Sequence, residues 1–423
     1  MTSILPRDIA EAARLTRDGR LSEATALLRR HLTGGPAPTQ PGPSDPAQAS
    51  SGGPSRGSRP GVSSPVSSPV SSPASSLGSS PMGGTGLAEA GAMAKQLLSN
   101  LPEALRGLSE LPGRLPGMFQ GGRSGPEAPQ TPVPEGAQFL ARSFEGEGAR
   151  LAYRLYIPAN RGTTPMPLVV MLHGCTQSAE DFAAGTRMNQ LAEEKGFLVA
   201  YPAQSGSANM QRCWNWFRPG DQQRDSGEPG LIAGMVREIL REDGADPRRV
   251  YVAGLSAGGA AAAILAARYP DLFAAAGVHS GLGCGAARDL PSALSAMRQG
   301  APDLPRPPAG AGARLVPTIV FHADGDSTVS PRNGDQIIEQ LQHSLPVDWR
   351  MRVEEGRVPN GHAWRRTLYA DGSGRHPLEQ WLVHGGGHAW SGGSPDGSYT
   401  DPKGPDASRE MLRFFLEHPL GQG

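Results

Sequence analysis

Ser256 lies in a segment whose residue types can make a serine chemically reactive. Residues 250–259 read VYVAGLSAGG, and an alanine-rich stretch follows them. The β-favouring start and the alanine-rich continuation predict a strand that turns sharply into a helix. Such a turn projects one side chain away from a sheet, and small neighbours prevent clashes within it. Because a serine hydroxyl is a poor nucleophile until a base removes its proton, this serine requires a base and a group that orients the base.

Residues 254–258 form the pattern G-x-S-x-G, which is the nucleophile elbow of α/β-hydrolases when it joins a strand to a helix. That fold places its acid after a later strand and its histidine last. The segment TIVFHADGDSTV supplies Asp324 and Asp326 directly after a strand-like run. Asp326 stands in the spacing H-x-x-x-D-x-x-V, which this fold commonly uses at the acid turn. We predict Ser256 as the nucleophile and Asp326 as the acid, with Asp324 as the alternative.

The base is expected in a loop after the last major strand. The segment WLVHGGGHAWSGG offers His384, at the end of the predicted strand, and His388, after three glycines that let the backbone turn over the sheet edge. His362 has similar neighbours, but it precedes the strand. We therefore predict His388 as the base, with its tautomer fixed by Asp326.

The transition state of acyl transfer also needs donors for an oxyanion. In this fold one comes from the residue after the nucleophile and one from a loop after an early strand. Ala257 fills the first position, and Cys175, in the sequence HGCT after the strand-like run PLVVML, fills the second. We predict their N–H groups as the oxyanion donors. His173 is expected to tie the loop by hydrogen bonding, not to act in catalysis.

Strand-like and helix-like runs alternate from about residue 135 to the end of the chain. This alternation predicts an α/β fold, a three-layer sandwich with a mainly parallel sheet covered by helices on both faces. The predicted strands are 167–174, 197–202, 249–256, 317–326 and 379–385, and the predicted helices are 181–196, 230–243, 332–343, 406–419 and one that opens after residue 256.

Four regions are predicted along the chain. Residues 1–33 have the spacing of a small helical hairpin, or of an element that docks on a partner. Residues 34–86 are rich in Ser, Pro and Gly and predict a disordered linker. Residues 87–134 contain a short amphipathic segment, either packed on its own domain or binding a surface. Residues 135–423 form the predicted α/β-hydrolase domain.

Composition limits the partners and the compartment. Forty basic residues balance forty acidic ones, which gives no support for a nucleic-acid partner. No run of about 18 apolar residues predicts a transmembrane helix. Charged side chains at Arg7, Asp8 and Glu11 interrupt any apolar signal segment, so the cytoplasm is the default expectation.

The motifs LHGCTQ, CWNWF, GLSAGG and GHAWSGG, in that order, resemble the poly(3-hydroxybutyrate) depolymerase family of esterases and its feruloyl and acetylxylan esterase relatives. The resemblance covers about residues 135–420. It implies a Ser-Asp-His triad, no metal and no organic cofactor. It also implies a disulfide between Cys175 and Cys213, although two reduced thiols are the expectation for a cytoplasmic protein.

The resemblance implies a serine esterase acting on a 3-hydroxyalkanoate polymer or oligomer, or else on a feruloyl or acetyl ester of a polysaccharide. Trp214, Trp216 and Trp390 are candidates for lining the acyl pocket, with a place in the aromatic core as the alternative. No signal peptide and no polymer-binding module is recognised, although the family leaves an extracellular location open. A granule-binding or partner-binding protein, docking through residues 1–119, is an alternative of another class, and a peptidase is a third.

Overall fold

A computed structural model describes residues 132–146, 148–305, 314–345 and 347–421. The predicted helical hairpin at 1–33, the linker at 34–86 and the part of the amphipathic segment before residue 132 lie outside the described residues.

A ten-stranded sheet forms the centre of the described region, in the spatial order β1-β2-β4-β3-β5-β6-β7-β10-β9-β8. Its strands are β1 (Gln138–Gly146), β2 (Ala149–Ile157), β3 (Met166–Leu172), β4 (Leu198–Ala203), β5 (Ala245–Leu255), β6 (Ala275–His279), β7 (Thr318–Ala323), β8 (Arg350–Arg357), β9 (Ala363–Ala370) and β10 (Leu378–His384). In this spatial order, each pair of neighbouring strands between β4 and β10 is parallel. The pairs β1-β2, β2-β4, β10-β9 and β9-β8 are antiparallel. The centre of the sheet is thus parallel, as the sequence predicts.

Helices and a second, small sheet complete the described region. The helices are α1 (Ala179–Thr186), α2 (Met188–Lys195), α3 (Gly227–Glu242), α4 (Ala257–Arg268), α5 (Leu290–Gln299), α6 (Arg332–Gln342) and α7 (Ala407–Leu416). The small sheet pairs β11 (Trp390–Ser391) with β12 (Thr400–Asp401) in parallel. None of the helices in the described ranges has the length and apolar content needed to cross a membrane.

Both faces of the central strands are buried, because successive side chains of a strand point to opposite faces. Along β5, Val250 and Val252 join the core cluster that includes α3 and α4, whereas Tyr251 and Ala253 join the cluster that includes α1, α2 and α7. Helix α4 reads AGGAAAAILAAR, and its small side chains let it pack closely on the strands. The chain therefore has the predicted three-layer α/β architecture.

Two elements differ from the sequence prediction. The single helix predicted over 181–196 is two helices, α1 and α2, because Arg187 adopts a left-handed conformation (φ 55°) between them. The Arg187 guanidinium donates a hydrogen bond to the carbonyl of Gly392 at 2.6 Å, which holds the break in place. In addition, β8 and β9 form an antiparallel hairpin that the apolar pattern did not predict.

The strand ends place the predicted site residues at one edge of the sheet. Ser256 follows β5, Asp326 lies in the turn after β7, and His388 lies in the loop after β10. Cys175 lies in the loop after β3. Since β3, β5, β7 and β10 run parallel within one sheet, their carboxyl ends meet at the same edge.

Candidate active site

Ser256 occupies a strained turn between β5 and α4, with φ 58° and ψ −118°. A non-glycine residue in this region marks a conformation that the surrounding structure imposes. A Cβ atom at Gly254 would overlap the carbonyl of Gly258, and one at Gly258 would overlap the carbonyl oxygen of Leu172. Both glycines are therefore needed for the close approach of strand and helix, which explains the G-x-S-x-G pattern physically.

Hydrogen bonds fix the backbone of Ser256. Its N–H donates to the carbonyl of His279 at 2.9 Å, and its own carbonyl accepts the N–H of Ala260 at 2.9 Å, which opens helix α4. The residue is 8% exposed. The turn thus presents Ser256 at the sheet edge on a rigid support.

Asp326 and His388 form a direct pair, with Oδ2 of the aspartate 2.7 Å from Nδ1 of the histidine. The other carboxylate oxygen, Oδ1, accepts the N–H groups of Thr328 and Val329, each at 2.9 Å. Because an ionised carboxylate only accepts hydrogen bonds, Nδ1 of His388 carries the proton and Nε2 is left with its lone pair. This is the tautomer that a general base requires.

The charge of Asp326 is stabilised although the side chain is fully buried. Burial opposes ionisation, but the adjacent His322, the hydrogen bond from His388 and the N–H of Val329 hold the pKa of Asp326 far below its ordinary value. Nε2 of His322 lies 3.5 Å from the carboxylate. The pair therefore keeps a negative charge beside the imidazole that a proton transfer would make positive.

The alternative acid and bases form separate pairs. Oδ2 of Asp324 lies 2.8 Å from Nδ1 of His384, at an exposed position, and Oδ1 of Asp324 accepts the N–H of Gly385 at 2.7 Å. Nε2 of His362 lies 2.9 Å from Oδ2 of Asp401. Neither pair includes a member of the predicted triad.

His279, at the end of β6, links the turn of Ser256 to the loop of His388, and it is not among the residues predicted from the sequence. Its carbonyl accepts the N–H of Ser256. Its Nε2 accepts the N–H of Ser391 at 3.0 Å, and its ring stacks on Trp390 at 5.0 Å between centroids. Burial lowers the pKa of His279 to about 3, so the ring is neutral and can act as this acceptor. A polar residue at a strand's carboxyl end was the available signal.

The structure joins Cys175 to Cys213 in a disulfide whose Cα atoms are 4.2 Å apart. The loop containing Cys175 lies against Ser256, since a Cβ atom at Gly174 would lie 3.7 Å from that of Ser256. In the described part of the chain, the N–H groups of Cys175 and Ala257 have no hydrogen-bond acceptor. Two free N–H donors beside Ser256 are what an oxyanion hole requires. Cys284 is a buried free thiol.

His173 ties this loop together, in the structural role that the sequence predicts. Its Nδ1 donates to the carbonyl of Gly174 at 2.8 Å, and its Nε2 accepts the N–H of Gln204 at 3.1 Å. Burial lowers the pKa of His173 to about 4. The ring is therefore neutral near pH 7, and both nitrogens are used within the protein.

All three tryptophans considered for substrate binding lie in buried core clusters, the alternative that the sequence leaves open. Trp214 is 0% exposed and Trp390 is 1% exposed. The indole N–H of Trp214 donates to the carbonyl of His173 at 3.1 Å, and that of Trp390 donates to Oγ of Ser408 at 3.0 Å. Through these contacts Trp214 supports the loop of Cys175, and Trp390 supports the loop of His388. Trp216, 6% exposed, stays a prediction.

No group of three His, Cys, Asp or Glu side chains that could hold a metal ion occurs within the described ranges. A nucleophile elbow at the carboxyl edge of a parallel sheet covered on both faces, with an Asp–His pair at the same edge, defines the class of α/β-hydrolases. Comparison with known proteins specifies the family.

The family described as Esterase PHB depolymerase matches residues 151–346. Feruloyl esterase B of Neurospora crassa is 30% identical over 274 residues, which are 62% of this chain and 86% of that protein. Poly(3-hydroxyalkanoate) depolymerase C of Paucimonas lemoignei is 34% identical over 245 residues, 55% of this chain and 56% of that protein. This chain thus spans about half the length of the depolymerase. The chain belongs to the PHB depolymerase family of esterases.

A solved structure supports the fold assignment. The acetyl xylan esterase from Aspergillus awamori superposes with a TM-score of 0.52 at 23% sequence identity, covering 66% of this chain and 98% of that one. This superposition confirms the α/β-hydrolase fold predicted from the sequence.

Proposed function

We propose that this esterase hydrolyses esters of short 3-hydroxyalkanoic acids, as polymer chains or oligomers, through an acyl-enzyme on Ser256. The observation that carries the chemistry is the 2.7 Å contact between Asp326 and His388 at the sheet edge where Ser256 lies. The match to a poly(3-hydroxyalkanoate) depolymerase at 34% identity supports the acyl class.

In the first half-reaction, Oγ of Ser256 attacks the ester carbonyl and Nε2 of His388 takes the hydroxyl proton. The N–H groups of Cys175 and Ala257 hold the tetrahedral oxyanion, and removal of one such donor typically costs about 2.7–4 kcal/mol. Asp326 stabilises the imidazolium that forms. When the oxyanion collapses, the C–O bond to the alcohol breaks and His388 returns its proton to the leaving oxygen.

In the second half-reaction, water attacks the acyl-enzyme while His388 again accepts a proton. Collapse of this tetrahedral state expels Ser256, which recovers its proton from His388, and releases the carboxylic acid. Every proton taken is thereby returned, so the cycle needs no cofactor.

A substrate panel tests the acyl class. The dimer and trimer of 3-hydroxybutyrate, methyl ferulate and acetylated xylan are compared by kcat/KM, with Ser256→Ala as the inactive reference. We expect the hydroxybutyrate oligomers to be the best substrates. Hydrolysis of methyl ferulate or acetylated xylan without release of hydroxybutyrate would assign the enzyme to the feruloyl or acetylxylan alternative. Full activity of the Ser256→Ala protein would overturn the mechanism.

The N-terminal region is proposed as a docking element for a polymer granule or a protein partner. The helical spacing of residues 1–33 and the amphipathic segment within 87–119 support this proposal. Co-sedimentation with hydroxybutyrate granules compares the full chain with a chain that starts at residue 132. Equal sedimentation of the two proteins would refute granule docking.

The compartment is also a proposal. The bridge between Cys175 and Cys213 favours an oxidising compartment. Mass spectrometry of this pair after thiol blocking in the native cell distinguishes a disulfide from two thiols.

A further inference from the structure

Glu228, the second residue of helix α3, directs its carboxylate at the segment that contains Cys213. Its Oε2 accepts the backbone N–H of Asn215 at 2.7 Å, and its Oε1 accepts Nδ2 of Asn215 at 2.6 Å. Oε1 also accepts Nε2 of Gln204. All three donors are N–H groups, and an ionised carboxylate, with two acceptor oxygens and no proton of its own, can accept them together.

This carboxylate is connected in two ways to the loop that contains Cys175, which we name the oxyanion loop after its predicted donor. Through Asn215 it holds the segment of Cys213, which the disulfide joins to Cys175. Through Gln204 it reaches the other side of the loop, because the Gln204 N–H donates to Nε2 of His173 at 3.1 Å. The side chain of Gln204 also donates to the carbonyl of Cys213 at 3.1 Å.

We infer that Glu228 is a positioning residue, which sets the direction of the Cys175 N–H by clamping the segments on both sides of it. The inference rests on the proposed function, in which that N–H binds the oxyanion. An oxyanion donor must be aimed at the place where charge develops. A clamp that acts on both neighbouring segments restrains this direction without touching the substrate.

The clamp depends on pH. Burial, and then the negative charge of Asp221, raise the pKa of Glu228 to about 7. Asp221, in the turn Pro219–Gln222, accepts the N–H of Glu228 at 2.9 Å. His173 is the next titratable group, behind Gln204. A proton on Glu228 adds an O–H donor to a site whose three partners are all N–H donors, so we expect one of those bonds to weaken.

As the pH rises, the stability that Glu228 contributes and the activity that it supports therefore change in opposite directions. Between the ordinary pKa of 4.5 and the folded value of about 7, the folded state binds the proton and the unfolded state does not. Stability from this group falls as the pH rises through that window, while the clamp becomes fully formed only above it. A residue with a purely structural role would not combine these two trends.

The test is Glu228→Gln, with Glu242→Gln as the matched control, because Glu242 is an exposed glutamate at the end of the same helix. Kinetics are measured with p-nitrophenyl butyrate between pH 5 and pH 9, and urea unfolding is measured at the same pH values. At pH 8 we expect Glu228→Gln to lower kcat by about tenfold with KM within about twofold. We also expect it to remove one ionisation from the acid limb of kcat. The control should match the native enzyme.

Asn215→Ala is the second variant, since it removes the side-chain donor to Glu228, together with the acceptor of Asn209, and keeps the backbone N–H. It should lower kcat about threefold or more at unchanged KM. Unchanged kcat in both variants, beside an inactive Ser256→Ala protein, overturns the inference and leaves the proposed function intact. A loss of kcat that only follows the folded fraction also overturns it. Activity retained by Ser256→Ala would instead remove the proposed function itself.

Discussion

His388 holds its Nδ1 atom 2.7 Å from the buried carboxylate of Asp326. This contact fixes the imidazole tautomer, so Asp326→Asn should reverse it by offering an N–H where an acceptor is needed. We expect kcat to fall about 10⁴-fold while the fold is retained, as the loss of the orienting acid does in other Ser-His-Asp enzymes. Steady-state hydrolysis of p-nitrophenyl butyrate at pH 8 measures the effect.

Asp324→Asn is the matched control, because Asp324 makes the same kind of contact with His384, at 2.8 Å, two residues away in the chain. It should leave kcat within about threefold of the native enzyme, since the His384 pair is exposed and separate from His388. If Asp324→Asn were the more damaging variant, the acid would have to be reassigned.

Gly258 packs so closely on β3 that any side chain would collide with backbone. A Cβ atom there would overlap the carbonyl oxygen of Leu172 and lie 2.6 Å from that of His173. Gly258→Ala should therefore lower the free energy of unfolding by about 3 kcal/mol or more, since backbone atoms cannot give way as a flexible side chain can. It should also reduce kcat by displacing the oxyanion loop. Urea unfolding and kinetics of the same preparation measure both effects.

Gly372→Ala is the control for this substitution, because nothing lies within 4 Å of its added Cβ atom. It should change stability by no more than about 0.5 kcal/mol. Equal stability of the two variants would mean that the elbow is looser than the structure shows.

Much of this site could be predicted because its residues are marked by local pattern. The glycines around Ser256 are required by backbone contact, and the Asp and His follow strands that the apolar runs identify. The parallel strand ends then place them at one edge without any knowledge of the coordinates. The resemblance to an esterase family added the Cys175–Cys213 pair, which no local pattern indicates.

The parts that were missed depend on tertiary contacts. Strands β8 and β9 carry many charged residues, and pairs such as Arg366 with Glu354 at 3.2 Å stabilise their pairing across the hairpin instead of an apolar alternation. His279 and Glu228 contact partners distant in sequence, which residue type does not reveal; the place of His279 at the end of β6 was the only sequence signal for it. For Trp214 and Trp390 the sequence left the pocket and the aromatic core open, and only their burial in the folded chain favours the core.

Cys175 and Cys213 close a loop with a sequence separation of 38 residues. A bridge of this span typically stabilises a fold by about 2–4 kcal/mol, and here it also restrains a predicted oxyanion donor. The double variant Cys175→Ser/Cys213→Ser should lower the unfolding midpoint and lower kcat in the protein that remains folded. Cys284→Ala tests the remaining thiol and should keep kcat, because Cys284 takes no part in the bridge. Full kcat in the double variant would show that the loop keeps its geometry without the bridge.

His279 is held neutral in the folded protein, and this makes stability depend on pH. Its pKa is about 3 in the folded state against an ordinary 6.5, so the unfolded chain binds a proton in this range that the folded chain does not. Stability from this group is present above pH 6.5 and is lost as the pH falls towards 3. Between pH 7.5 and pH 5 the loss amounts to about 2 kcal/mol for one such histidine. His173, with a pKa of about 4, contributes in the same direction.

The variant His279→Gln should remove this share of the pH dependence, because glutamine does not titrate and its carbonyl oxygen still offers an acceptor to the N–H of Ser391. The difference between the free energies of unfolding in urea at pH 7.5 and pH 5 should shrink by about 2 kcal/mol relative to the native protein. His343→Gln is the control, since His343 is exposed and its ring bonds to the carbonyl of Glu339 in the preceding helix. If His279→Gln kept the native pH dependence, the ring of His279 could not be the neutral acceptor that joins the loop of His388 to the turn of Ser256.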